Sequence, residues 1–214
     1  MDISRWLTAG WNMIKDDILT FAVASFLAVL LAAVTCGILG PAMQCGLFMM
    51  AFHRMTGRRV EVGTVFEGLS RFGNALLTGL LLLLVMLVIY GVAYGPPILV
   101  QVAAPDSEAA QALAGLWNMV ASLALQALTS GAIFFVFAHV AARNVGPVEA
   151  ITASWEVFTR NILMFALVGF LFQLIAGLGA IACFIGVFVT QPLIIAATAQ
   201  AYADHFGIAD YRPQ

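Results

Sequence analysis

Three histidines, His53, His139 and His205, are the side chains with most capacity for chemistry, one near the end of every second apolar run. Three imidazoles suit a tetrahedral Zn²⁺. No two of them share a local ligand spacing, and imidazole is equally at home where a helix leaves a membrane. Neither a metal site nor a haem-type histidine pair is expected. Cys36, Cys45 and Cys183 are the thiols. Cys36 and Cys45 flank a Gly37–Pro41 turn and could pair if that face is oxidising; buried free thiols are the expected state. Ser25, Ser122 and Ser130 have no histidine at matching depth, so intramembrane serine hydrolysis lacks its base. No phosphate loop or dinucleotide glycine fingerprint occurs, and "GILG" at 37–40 reads as a turn. The chain is expected to have no catalytic residues, cofactor or metal.

The polar groups left inside apolar surroundings are Gln44, Asn118, Gln126, Gln173, Gln191 and Gln200. Most such groups bond between helices. Gln44 and Gln191 are set apart by their neighbours Pro41 and Pro192. Proline lacks a backbone N–H, so it starts a helix or kinks one. Residues 41–52 and 192–203 are then short helices of about 18 Å. Their Gly37–Pro41 and Gly186–Pro192 connections dip below the outer surface, where irregular backbone needs protein cover or a wet cavity. Gln44 and Gln191 are thus the candidate ligand-binding residues, at an outward-facing depression.

The elements that position these groups are membrane helices. The chain has 214 residues, 63% hydrophobic and 9% charged, against roughly 45–50% and about 25% in soluble domains. A crossing needs about 20 apolar residues. Charge-free runs at 18–39, 41–52, 75–94, 112–142 and 162–203 give six spans if the last is broken near Gly186 and Pro192. No Asp, Glu, Lys or Arg falls inside a span, so ion-coupled transport and voltage sensing have no titratable group to use. Arg5 and Lys15 precede the first span; Arg54, Arg58, Arg59 and Arg71 lie between the second and third; Arg143 and Arg160 lie between the fourth and fifth; Arg212 follows the sixth. All nine positive charges fall on one side, which the positive-inside rule makes cytoplasmic. Both termini then face the cytoplasm. The N-terminal "MDISRWLTAGWNMIKDD" is mixed in charge and reads as retained rather than as a signal peptide. The net charge of −2 offers nucleic acid no basic footprint.

The stretch "EGLSR" (67–71) is echoed by "EVFTR" (156–160). A shift of 89 places Val62, Phe66, Glu67, Leu69, Ser70 and Arg71 on Ile151, Trp155, Glu156, Phe158, Thr159 and Arg160. A shift of 144 places residues 9–27 on 153–171 with eight identities in nineteen positions, Trp11 on Trp155 among the matches. Each copy reads as an amphipathic interfacial helix followed by a transmembrane hairpin. Val62, Val65, Phe66, Leu69 and Phe72 form one apolar face, as do Val148, Ile151, Trp155 and Phe158. Glu67/Arg71 and Glu156/Arg160 are i, i+4 pairs on the wet face. Pro147 suits a first helical turn, and Thr64 with Glu67 has capping-box spacing. Even numbers of spans per copy make the repeats parallel, unlike the inverted repeats of many transporters. Small residues at 22–33 and 196–203 suit the bundle centre or a partner.

The expected fold is all-α: six transmembrane helices as three parallel repeats (about 3–57, 61–143 and 147–206) in a single domain. The interfacial aromatic, "N-I-L" or "D-I-L" opening a span, "G-x-x-G-P" in the first hairpin and "T-Q-P…A-Y-A-D" in the last resemble an uncharacterised family of six-span bacterial inner-membrane proteins. That family is related to the membrane domain of some glycerophosphoryl diester phosphodiesterases. The resemblance implies fold and location and carries over no catalytic residue. The expected role is a non-enzymatic inner-membrane protein binding lipids or other membrane proteins as an envelope scaffold. A transporter or channel for a small or lipidic solute is the alternative. In a cysteine-free background, a cysteine at Asp106 should react with an impermeant reagent in intact cells; protection until permeabilisation would overturn the topology.

Overall fold

The computed structural model describes residues 3–181, 186–208 and 211. Among them every regular element is helical. Helix α1 (Ile3–Ile14) leads through a short 3₁₀ turn into α2 (Ile18–Val34), and α3 (Gly40–Met55) returns. A 3₁₀ helix, Val62–Arg71, precedes α4 (Phe72–Ala103), α5 (Glu108–Ala132) and α6 (Val136–Arg143). Then come α7 (Pro147–Arg160), α8 (Ile162–Ile181) and α9 (Val187–Phe206).

Among the described residues, four helical stretches are long and apolar enough to cross a membrane: Ile3–Val34, Val62–Ala103, Glu108–Arg143 and Ile162–Gly179. Helix α3 is outside that set because its 16 residues reach only about 24 Å. Helix α9 has 20 residues, but Gln191, Gln200, Asp204 and His205 dilute its apolar character. The lengths also depart from the charge-free runs. Helix α2 stops at Val34, where Thr35 Oγ1 donates to the Leu31 carbonyl and Cys36 and Gly37 turn the chain at positive φ. Helix α4 continues past the expected end at Tyr94, through Pro96 and Pro97. Pro97 cannot donate to the Ala93 carbonyl four residues back, and the Trp117 indole on α5 donates to it instead, at 2.9 Å.

Helix α3 is the hub. Residues 45–53 are all buried, and α2, α4, α6, α9 and the 3₁₀ helix pack around it. The closest neighbour is the 3₁₀ helix, and glycine makes that approach possible. A Cβ on Gly46 would collide with the Val65 carbonyl oxygen, and one on Gly68 with that of Ala42. Helix α1 packs along α9 at the edge of the same core. There the Trp6 indole donates to Asp204 Oδ2 at 2.7 Å, and the Arg5 guanidinium pairs with the same carboxylate.

The segment 62–71 corrects the sequence reading in three ways. It has a three-residue turn, so Val65, Gly68 and Arg71 form the buried row. Phe66 and Leu69, assigned to the packed face at a 3.6-residue period, are 40% and 41% exposed. Arg71, assigned to water beside Glu67, is 6% exposed, and no ion pair joins the two. The capping box also starts three residues earlier: Glu61 is the N-cap and Thr64 the third residue, the reverse of the usual hydroxyl-then-acid order. In α7, which begins at Pro147, the buried row is Ala150, Ser154 and Phe158. Val148 and Trp155 of the expected apolar face point outward.

The run at 112–142 is not one helix. It breaks at residues 133–135, between α5 and α6. Ser154 Oγ donates to the Ala132 carbonyl at 2.7 Å and accepts from the Phe135 amide at 3.2 Å. One hydroxyl from α7 thus satisfies backbone groups on both sides of the break, which buried irregular backbone requires.

Replacing Gly68 by alanine should destabilise the protein by about 2 kcal/mol or more, since backbone rather than a flexible side chain must move. Thermal unfolding in detergent, with Gly63→Ala (open space at the Cβ) as control, checks this.

Candidate functional site

Gln44 lies one turn into α3 and Gln191 one turn into α9, and the structure brings them together. Both line a cavity of about 450 Å³ enclosed by α3, α5, α6, α8 and α9. Both also border a second hollow of about 100 Å³ against α2. The two amides therefore partition the space between the first and last hairpins. A volume of 450 Å³ lies in the range of small-molecule sites, about 300–1,000 Å³.

The walls are mainly apolar: Phe48, Phe134, Phe137 and Phe172 contribute rings, with aliphatic groups from α9. Polar groups enter from Gln44, Gln173, Gln191, Ser130, Thr190 and Thr198. Ser130 Oγ donates to the Gln126 carbonyl of its own helix at 2.6 Å, which leaves the hydroxyl an acceptor towards the cavity. The Gln191 side-chain oxygen is buried without a hydrogen-bond partner. An unpartnered amide oxygen beside an open volume loses its hydration and gains nothing in return, until a donor arrives. Among the described residues no carboxylate, Lys or Arg lines the cavity, so it suits neutral polar groups attached to apolar ones.

Close helix approach holds the wall together. A Cβ on Gly169 of α8 would lie 2.8 Å from the Gly131 amide of α5, and one on Gly131 2.7 Å from the Phe165 carbonyl. Gly169 and, on α9, Thr190 and Thr198 are site residues that the sequence reading missed, and Gly131 is the packing partner behind Gly169. A glycine in each of two apolar runs was the available signal, but nothing in one chain paired the runs.

The depression has a different floor from the one expected. Helix α9 starts at Val187 and continues through Pro192, so no irregular segment reaches from Gly186 to Pro192. Pro41, by contrast, occupies the first turn of α3. The cavity extends along α9 from Val187 to Thr198, about 16 Å. Asn118, Gln126 and Gln200 do not line it.

The other chemistry-bearing residues are dispersed. His139 Nδ1 and the Tyr202 hydroxyl are 2.9 Å apart, His205 Nδ1 is 2.8 Å from the Ala201 carbonyl, and His53 Nε2 is 3.5 Å from Glu67 Oε2. No group of three or more potential ligands gathers among the described residues. Cys36 and Cys45 are both free. Cys45 is buried and directs its thiol at the Phe137 carbonyl, while Cys36 is exposed because it forms the positive-φ turn, correcting its expected burial. Cys183 lies outside the described residues. The Ser122 hydroxyl donates to its own helix at the Met119 carbonyl, and the Ser25 hydroxyl is buried without a partner.

The fold is that of an all-helical protein with four helices long and apolar enough to cross a membrane among the described residues. No family model, curated protein or solved structure matches it.

In a cysteine-free background, cysteines at Val187, Thr190 and Ile194 should react with a small thiol reagent, while cysteines at the buried Ala196, Ala197 and Ala199 should not. Equal inertness of both sets would mean that the cavity is closed to ligand.

Proposed function

We propose that this chain is a multi-pass protein of the bacterial inner membrane that binds a lipid between its first and last hairpins and catalyses no reaction. In this reading α3 and α9 complete a set of six spans, with both termini cytoplasmic. The three units, each a short helix followed by a hairpin, are parallel repeats. Trp11, Phe66 and Trp155, all exposed on those short helices, sit at the headgroup level. The resemblance to the six-span inner-membrane family belongs to the same proposal.

The observation that carries the reading is the cavity shared by Gln44 and Gln191, apolar in its walls and supplied with neutral amides. A lipid matches both features. Its acyl chain contacts the phenylalanines, and a hydroxyl or amine in its headgroup donates to the unpartnered Gln191 oxygen. Other membrane proteins are further partner candidates for the exposed apolar faces. An envelope scaffold that holds lipid in this way needs no titratable group at membrane depth.

Native mass spectrometry of protein extracted in mild detergent tests the proposal. Wild-type protein should retain a lipid, and Gln44→Leu combined with Gln191→Leu should lower its occupancy by about tenfold, equivalent to about 1.4 kcal/mol. Absence of retained lipid from wild-type protein would overturn it. Solute uptake into proteoliposomes that is lost in the same variant would instead establish the transporter reading.

A further inference from the structure

The polar groups of the cavity offer a guest mainly acceptors. Ser130 Oγ gives its proton to the Gln126 carbonyl at 2.6 Å, and Thr190 Oγ1 gives its own to the Val187 carbonyl at 3.4 Å. Each hydroxyl is left with only its accepting capacity for the cavity it lines. The Gln191 side-chain oxygen is a third acceptor, buried and unpartnered. Gln44 and Gln173 add carboxamides, which donate as well as accept. Charge is missing from this lining among the described residues. The connection at 182–185 adds none, since its sequence holds only alanine, cysteine, phenylalanine and isoleucine.

The two facing amides also stand at one end of an apolar track. Gln44 and Gln191 share the cavity, and further along the same two helices Phe52 meets Tyr202 with ring centroids 5.6 Å apart. Helices α3 and α9 therefore run in the same direction here. On both, the amide comes first and apolar lining follows: Phe48 on α3, Ile194 and Ile195 on α9. A guest whose polar end meets the amides lays its hydrocarbon along those side chains.

Lipid headgroups sort sharply against such a lining. An ionised phosphate diester accepts hydrogen bonds and donates none, and its charge would be buried with no cation to answer it. A quaternary ammonium has no N–H to give. The ammonium of ethanolamine can donate, but it brings its phosphate with it. A free hydroxyl donates to the unpartnered amide oxygen, accepts from an amide N–H and carries no charge.

We propose that the guest is a lipid alcohol, a neutral lipid of the diacylglycerol type whose polar end is a free hydroxyl paired with the Gln191 carboxamide. The assignment rests on the lipid-binding reading above and adds to it the class of lipid.

Delipidated wild-type protein in mild detergent is offered four lipids in turn. All carry two oleoyl chains on glycerol, and the third position is a free hydroxyl, its methyl ether, a phosphate or a phosphoethanolamine. Native mass spectrometry across a concentration series reads the affinities. The free alcohol should bind about tenfold tighter than each of the other three, and Gln191→Leu should erase its advantage over the methyl ether. Gln200→Leu, outside the cavity, should leave that advantage intact. Equal binding of alcohol and ether by wild-type protein, or preference for either phosphate lipid, overturns the lipid alcohol and leaves lipid binding standing. An advantage that persists in Gln191→Leu overturns the pairing with that residue. Binding of none of the four overturns the assignment too. Whether the protein as first extracted still retains a lipid then separates a wrong class from a failure of lipid binding itself. Should Gln191→Leu not fold, the four-way comparison on wild-type protein decides alone.

Discussion

Two glycines set the distance on which this fold depends. Gly46 and Gly68 let the backbone of the 3₁₀ helix lie directly against the backbone of α3, with no side chain between them. In lipid there is little hydrophobic drive to bring helices together, so close packing has to supply it. Because α3 is covered on this side by the 3₁₀ helix and elsewhere by α2, α4, α6 and α9, the shortest of the hairpin-forming helices becomes the most buried. A helix surrounded by protein has no need to match the thickness of a bilayer.

The same arrangement accounts for the cavity beside Gln44 and for the burial of Arg71. Near Gln44 the neighbours of α3 are α6 and α9, whose bulky rings and broken partner helix leave space between them. The tightly wound 3₁₀ helix meets α3 at Ala42 and Gly46, reaches His53 through Glu67, and by its three-residue period carries Arg71 inward. Ser154 makes the break between α5 and α6 tolerable, so a residue on α7 helps to shape a cavity that it does not line.

Composition and charge placement made the helical, membrane-type character legible from residues alone, and the break near Gly186 was visible as glycine followed by proline. Gln44 and Gln191 could be singled out because both stood near prolines in otherwise apolar runs. What misled was period. Val62, Val65, Phe66, Leu69 and Phe72 satisfy an α-helical face, and nothing local shows that the segment winds at three residues per turn. That winding is selected by contact with α3, through Gly68, and so is tertiary in origin. The inward course of Arg71 follows from the same cause. Pro192 misled for a related reason: lying six residues into α9, it removes one hydrogen-bond donor without ending the helix. The partnership of Gly131 with Gly169 was invisible because it joins runs that only the folded chain brings together.

The hairpins differ in reach. Helix α2 has 17 residues and α4 has 32, about 25 Å against about 48 Å. Leu83, Leu87, Val92 and Leu99 keep α4 apolar and exposed along most of that length. A membrane around this chain would meet unequal hydrophobic heights along α2 and α4. Tilting α4, thinning the bilayer beside α2 or thickening it beside α4 are the available responses, each at a fraction of a kcal/mol per ångström. Over a difference of about 20 Å those increments would sum to several kcal/mol in a bilayer of uniform thickness.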